Sequence, residues 1–220
     1  MCWNFESSLL MGSWGVIVSS YAIIRNASYR DRWTGWFLLI TSTMQFVDTV
    51  FWYDHKINGL ETCSNLNKYT SKYFIHLVLS AELLAAVIAA GKMGNFMKKY
   101  HYIPNILGAI RVANPFERCT TLSPQGHILW FGTQIKWHWS ILFLIAVDWP
   151  LLFMKPFIAG LSYVSLISGV WLYSTLYTDA FGSNWCFLST FCSILLLFDP
   201  FIFGRFFPEK KQKVEQKRKN

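Results

Sequence analysis

"STMQFVDTVFWYDH" runs from Ser42 to His55 and decides how the chain is read. It sits in a run apolar enough to cross a membrane, yet it sets Gln45 and Asp48 where lipid would be. An acid at mid-bilayer costs roughly 2.5–3.5 kcal/mol on insertion scales, so it must look away from lipid. Thr41, Gln45, Asp48, Trp52 and His55 follow steps of four and three, which lines them along one helix face. Phe46, Val47, Val50 and Phe51 make the opposite face apolar. A polar stripe on an apolar helix needs other helices to cover it, so an all-α bundle is expected.

The rest of the chain agrees. Of 220 residues, 53% are hydrophobic, 18% aromatic and only 15% charged, and the charges fall in short clusters between apolar runs. That is the pattern of a multi-pass membrane protein. A span needs about 20 apolar residues at about 1.5 Å each. Seven runs qualify: 5–24, 33–53, 73–91, 100–112, 137–154, 157–177 and 184–207. The fourth is short and holds Pro104 and Arg111, so a tilted span and a re-entrant segment both fit it. The first run lacks a basic lead and a small-residue cleavage site, so it reads as a span and not as a signal peptide. The organisation expected is a membrane domain over 1–207 and a basic tail over 208–220.

Charge orients the bundle. Arg25, Arg30, Arg32, Lys92, Lys98, Lys99 and Lys155 crowd three short connections, which the positive-inside rule assigns to the cytosol. The amino terminus is then external or lumenal, and the tail "PEKKQKVEQKRKN" is cytosolic. That tail carries half of the net charge of +8 and suits anionic headgroups, so membrane lipids are the expected partners. A nucleic-acid partner would want this charge on a folded surface with interleaved aromatics, and none is expected. Asn26-Ala27-Ser28 matches a glycosylation acceptor but falls on the cytosolic side, where it would stay unmodified.

In the same threading Cys2, Cys63, Cys119 and Cys186 share the external face, with Cys192 inside a span. Two disulfides suit an oxidising compartment, whether secretory pathway or cell or viral envelope. Three pairings are open, and free thiols used as small apolar residues are the alternative.

Further polar residues fall inside the spans. His76 and Glu82 lie on the third, with Ala85, Ala86 and Ala89 on the Glu82 face as a close-packing surface. Asp148 and Asp199 lie in "VDWP" and "FDP", beside prolines that free a backbone carbonyl. By depth the acids make a ladder from Asp48 through Glu82 to Asp148 and Asp199, as in proton and cation paths. Moving or sensing a small solute or cation is therefore the leading function. The bland reading makes each acid a hydrogen-bonding point between helices. A lipid-active metal hydrolase is the runner-up, with His55, His76, His127 and His138 as candidate ligands, though no paired His spacing supports it. A non-catalytic membrane scaffold is third. No cofactor is implied, since the seventh span has no Schiff-base lysine and phosphate-binding glycine motifs are absent. Oligomeric state stays open.

"MCW" at the start, Gln45 ahead of Asp48 and Trp52, Cys63 followed by Asn65 and Thr70, "GHILW" and "GSNWCF" together resemble a family of small multi-pass membrane proteins of giant DNA viruses, algae and other protists. The likeness runs to about Phe187. It implies a seven-helix membrane protein and carries no activity with it. Where that family often has a polar residue followed by proline in its third span, this chain has Glu82-Leu83.

Overall fold

The computed structural model describes residues 4–26, 29–59, 62–89, 119–130, 137–148, 151–152, 157–177, 190 and 193–199. These residues are mostly helical, so the all-α class holds. Helix α1 spans Phe5–Arg25. Asn4 caps its start by accepting from the Ser7 N–H at 2.8 Å, with Glu6 in the first turn. At its end Asn26 takes the left-handed conformation, φ 40°, and its N–H reaches Ala22 O at 3.0 Å. Acid at the first turn and Arg25 at the last complement the helix dipole.

Helix α2, Tyr29–Asn58, is the longest element at about 45 Å. The turn joining it to α1 is closed by an ion pair between Arg25 and Asp31, whose second bond runs from Nε to Oδ2 at 2.9 Å. The helix outruns the span expected at 33–53 at both ends. Its charged ends, Asp31 and Arg32 on one side and Asp54 to Lys56 on the other, simply continue the same backbone hydrogen-bond ladder.

Close approach sets the α1–α2 pair. A Cβ on Gly15 would lie 1.9 Å from Ser42 Oγ, and one on Gly35 would lie 2.8 Å from Ile23 Cγ1. Each helix thus presents a glycine to the other. The buried side of α1 is Ser8, Gly12, Gly15, Val18, Ser19 and Ala22, nearly all small.

After α2, helix α3 (Asn65–Tyr69), a π-helical turn (Thr70–Phe74) and α4 (Ile75–Ala89) follow without a break. Helix α4 packs on α2 on the flank that α1 leaves open. The apolar side of α2 is divided: Val47 and Phe51 are buried, Phe46 and Val50 are half-buried, and Thr43 and Tyr53 are exposed. Side chains of Ala85, Ala86 and Ala89 lie outside the described residues.

A short hairpin comes next, β1 (Thr121–Leu122) antiparallel to β2 (Ile128–Leu129). Pro124 follows the first turn residue, and the Gly126 N–H closes the turn onto Ser123 O at 2.9 Å, with Gly126 at φ 76°. Helices α5 (Trp137–Asp148), α6 (Phe157–Tyr177) and the short α7 (Ile194–Asp199) complete the described part. The core joins Trp33, Phe37, Met44 and Phe51 of α2 to Ile75 and Val78 of α4, Ile128 and Trp130 of the hairpin, and Val147.

Polar side chains are buried beside this apolar core, and large apolar ones lie on the outside. Ser8, Ser19, Thr41, Ser42, Gln45 and Asp48 are fully buried, while Leu10, Ile17 and Ile24 of α1 and Phe157 and Leu176 of α6 are more than 60% exposed. The α2 hydroxyls are satisfied within their own helix: Thr41, Ser42, Thr43 and Thr49 each donate to the carbonyl four residues earlier at 2.6–3.0 Å. Among the described residues two helices are long and apolar enough to cross a membrane, α1 and the 157–174 part of α6. The fourth expected span, Cys2, Cys186, Cys192 and the basic tail lie outside the described residues, as does most of the seventh span.

Candidate polar site between α2 and α4

Asp48 is fully buried on α2, and the Trp130 indole N–H donates to its Oδ1 at 2.9 Å. The donor comes from the end of the hairpin, 82 residues later in the chain, and not from another span. An indole is a donor only, so it matches a carboxylate and the two roles cannot be exchanged. Gln45 lies one turn deeper, fully buried, with its Cβ against the α1 backbone at Gly12.

Glu82 approaches from α4. It is 1% exposed, and the Thr41 hydroxyl of α2 faces it. That hydroxyl donates instead to Phe37 O, and neither oxygen of the Glu82 carboxyl has a hydrogen bond among the described residues. Seven residues along each antiparallel helix from the Thr41–Glu82 level lie Asp48 and Ile75, so His76 sits at the Asp48 end. His76 is buried, and Gln45, Asp48 and His76 are each engaged by a neighbour. The result is a column about 10 Å long. Asp48, His76 and Trp130 stand at the hairpin end, Gln45 between, and Thr41 with Glu82 at the inner end.

The hairpin end is heavily tied. Cys63 and Cys119 form a disulfide with their Cα atoms 5.6 Å apart. The Asn67 side chain acts as a strand partner for Thr120, donating to its carbonyl at 2.8 Å and accepting from its N–H at 2.9 Å. The Thr120 N–H also reaches Ser71 Oγ at 3.1 Å, and the two hydroxyls lie 2.8 Å apart. Asp54 fastens the loop that carries Cys63, accepting from Asn58 at 2.8 Å and from Ser64 at 2.7 and 2.8 Å.

No family model, curated protein or solved structure matches this chain.

Of the residues singled out in the sequence, Asp48, His76 and Glu82 lie along the α2–α4 contact, and Gln45 lies beside them on α2 with its Cβ against α1. Asp148 does not join them. Its Oδ2 accepts from Ser168 of α6 at 3.0 Å, so it belongs to the α5–α6 contact, and Oδ1 has no hydrogen bond among the described residues. The Asp199 and His138 side chains, and with them the lower half of the expected ladder, lie outside the described residues. Among the described residues no three His, Cys, Asp or Glu side chains stand together as a metal site. His55 instead packs edge-on against Trp52, and His127 sits in the hairpin turn. Sequence reasoning missed Trp130, Asn67, Ser71 and Thr120. The signal that could have found them is Cys119, which, once paired with Cys63, draws the following residues onto the start of α3.

Proposed function

We propose that this chain is a seven-span integral membrane protein that moves or senses a small cation, the proton included, through the column between α2 and α4. The observation that carries the reading is Glu82: a carboxyl group 1% exposed, with no hydrogen bond among the described residues, in line with a second buried carboxylate. Burying a charge without a partner is expensive enough that such a group must be neutralised, and an exchanging cation does so reversibly.

The membrane setting is supported by the buried polar side chains and by how little of the apolar helices is covered. Only 33% of the α1 window and 17% of the α6 window is buried, which leaves broad apolar surface that lipid would take up. The disulfide suits an external or lumenal position for the hairpin end, with the amino terminus on the same side and the tail in the cytosol. The resemblance to the multi-pass family of giant viruses and protists points to the same architecture. The hydrolase alternative has no ligand cluster among the described residues behind it.

Purified protein in sealed vesicles, with pH-sensitive and cation-sensitive dyes inside, tests the reading. Flux above protein-free vesicles is expected, and Glu82→Gln should abolish it while the variant melts like the parent. Parent vesicles as tight to protons, sodium and potassium as empty ones would refute transport.

A further inference from the structure

The geometry points to the hairpin as a lid: Trp130 closes the outer mouth of the polar column over Asp48, and the Asn67 clamp with the Cys63–Cys119 bond holds it shut. The lid rests on the membrane reading above, because it needs one end of the column to face water.

The hairpin divides sharply along its length. Its tip, Pro124 to Gly126, is exposed, whereas Ile128 and Trp130 at its base are 1% and 3% exposed and belong to the α2–α4 core. The indole N–H also supplies the buried carboxylate with a donor, so the hairpin covers Asp48 and satisfies one of its oxygens at once. A cation entering from this end would meet the indole before the carboxylate.

The clamp and the disulfide lie on the β1 side of the hairpin. Thr120, the residue before β1, is held by Asn67 and Ser71, and Cys119 before it is bonded to Cys63. Beyond the clamp the strands cross-pair over only two residue pairs, and Trp130 follows at once. The covalent and clamp ties are thus on β1, while β2 and Trp130 are held by core packing and by the bond to Asp48. The π-helical turn Thr70–Phe74 includes Ser71, one of the clamp residues, and such turns are common at functional positions in helices.

The test reads access to the column and needs no transport. Gln45→Cys places a thiol one turn below Asp48, and a membrane-impermeant maleimide is applied to the intact full-length protein in vesicles. Peptide-resolved mass spectrometry counts modification at position 45, so the native cysteines do not interfere. The expected result is slow labelling with Trp130 present and at least tenfold faster labelling with Trp130→Ala. Asn67→Ala and the paired Cys63→Ser/Cys119→Ser change should each raise the rate by a smaller factor. Trp130→Phe, which keeps an aromatic ring and loses the N–H, should fall between and serves if the alanine variant fails to fold. Equal rates with tryptophan, phenylalanine and alanine at position 130 would overturn the lid. So would tether changes that leave position 45 as protected as before. A protected thiol released by these changes, in a protein without flux, would uphold the lid and sink the transport reading instead.

Discussion

Gly15→Ala is the most severe single-methyl change that the α1–α2 pair offers. The new Cβ would sit 1.9 Å from Ser42 Oγ, 2.8 Å from Ser42 Cβ and 3.0 Å from Thr190 Cγ2. The first clash can be relieved by rotating Ser42, which breaks its 2.6 Å bond to Leu38 O and strands a fully buried hydroxyl. That loss is about 1–3 kcal/mol. The second clash involves Cβ, which no rotamer moves, so the helices must separate, and overpacking of this kind costs about 1–3 kcal/mol. Together the substitution should destabilise by about 2–6 kcal/mol. Ser42→Gly removes both contacting atoms and by itself costs about 1 kcal/mol as a helical glycine. The double variant should therefore recover most of the loss, with a coupling energy of at least about 1 kcal/mol. Reversible unfolding by anionic detergent in bicelles, followed on all four proteins of the cycle, measures this. Additive effects, or a Gly15→Ala loss below about 0.5 kcal/mol, would refute the packing argument.

Other outcomes follow from the same structure. Asn67→Ala strands the buried Thr120 carbonyl and leaves its N–H only the longer bond to Ser71, which should destabilise by about 1–3 kcal/mol, whereas Asn67→Asp can still accept from the N–H and should cost less; the same unfolding assay ranks them. Non-reducing peptide mapping should recover Cys63 and Cys119 as one linked pair, and Cys63→Ser/Cys119→Ser should lower stability by about 2–4 kcal/mol. Asp48→Asn keeps an acceptor for Trp130 and removes the charge, so vesicle flux should vanish while the melting temperature changes by only a few degrees. Epitope tags should report the amino terminus outside and the tail inside in selectively permeabilised cells, and both on one side would rule out an odd number of spans.

Much of the helical layout was legible because lipid-like segments need length and apolarity, which a sequence displays directly. The run at 157–177 coincides with α6, and the run at 5–24 falls one residue short of α1. The stripe of Thr41, Gln45 and Asp48 was legible for the same reason, since helical periodicity is local. The ends of α2 were not, because charged residues outside the apolar run carry no mark that the helix goes on. Trp130 was hidden for a different reason. Its role depends on a contact across 82 residues, and nothing near position 130 refers to position 48. The burial of Val47 and Phe51 was not legible either, because the sequence of α2 cannot reveal which elements pack against it.

The distance in sequence between Asp48 and Trp130 has a consequence for synthesis. The acid is made 82 residues before the indole that will hold it. At roughly 5–20 residues per second, that gap lasts about 4–16 s on the ribosome. Throughout that time α2 is complete while its carboxylate lacks its final donor, and lipid would expel it. Were α2 to enter a bilayer as proposed, it would wait beside water or the insertion machinery until a donor reached Asp48. Slowing translation between positions 58 and 130 should lengthen the stay of α2 beside the translocation channel, where site-specific crosslinking would catch it.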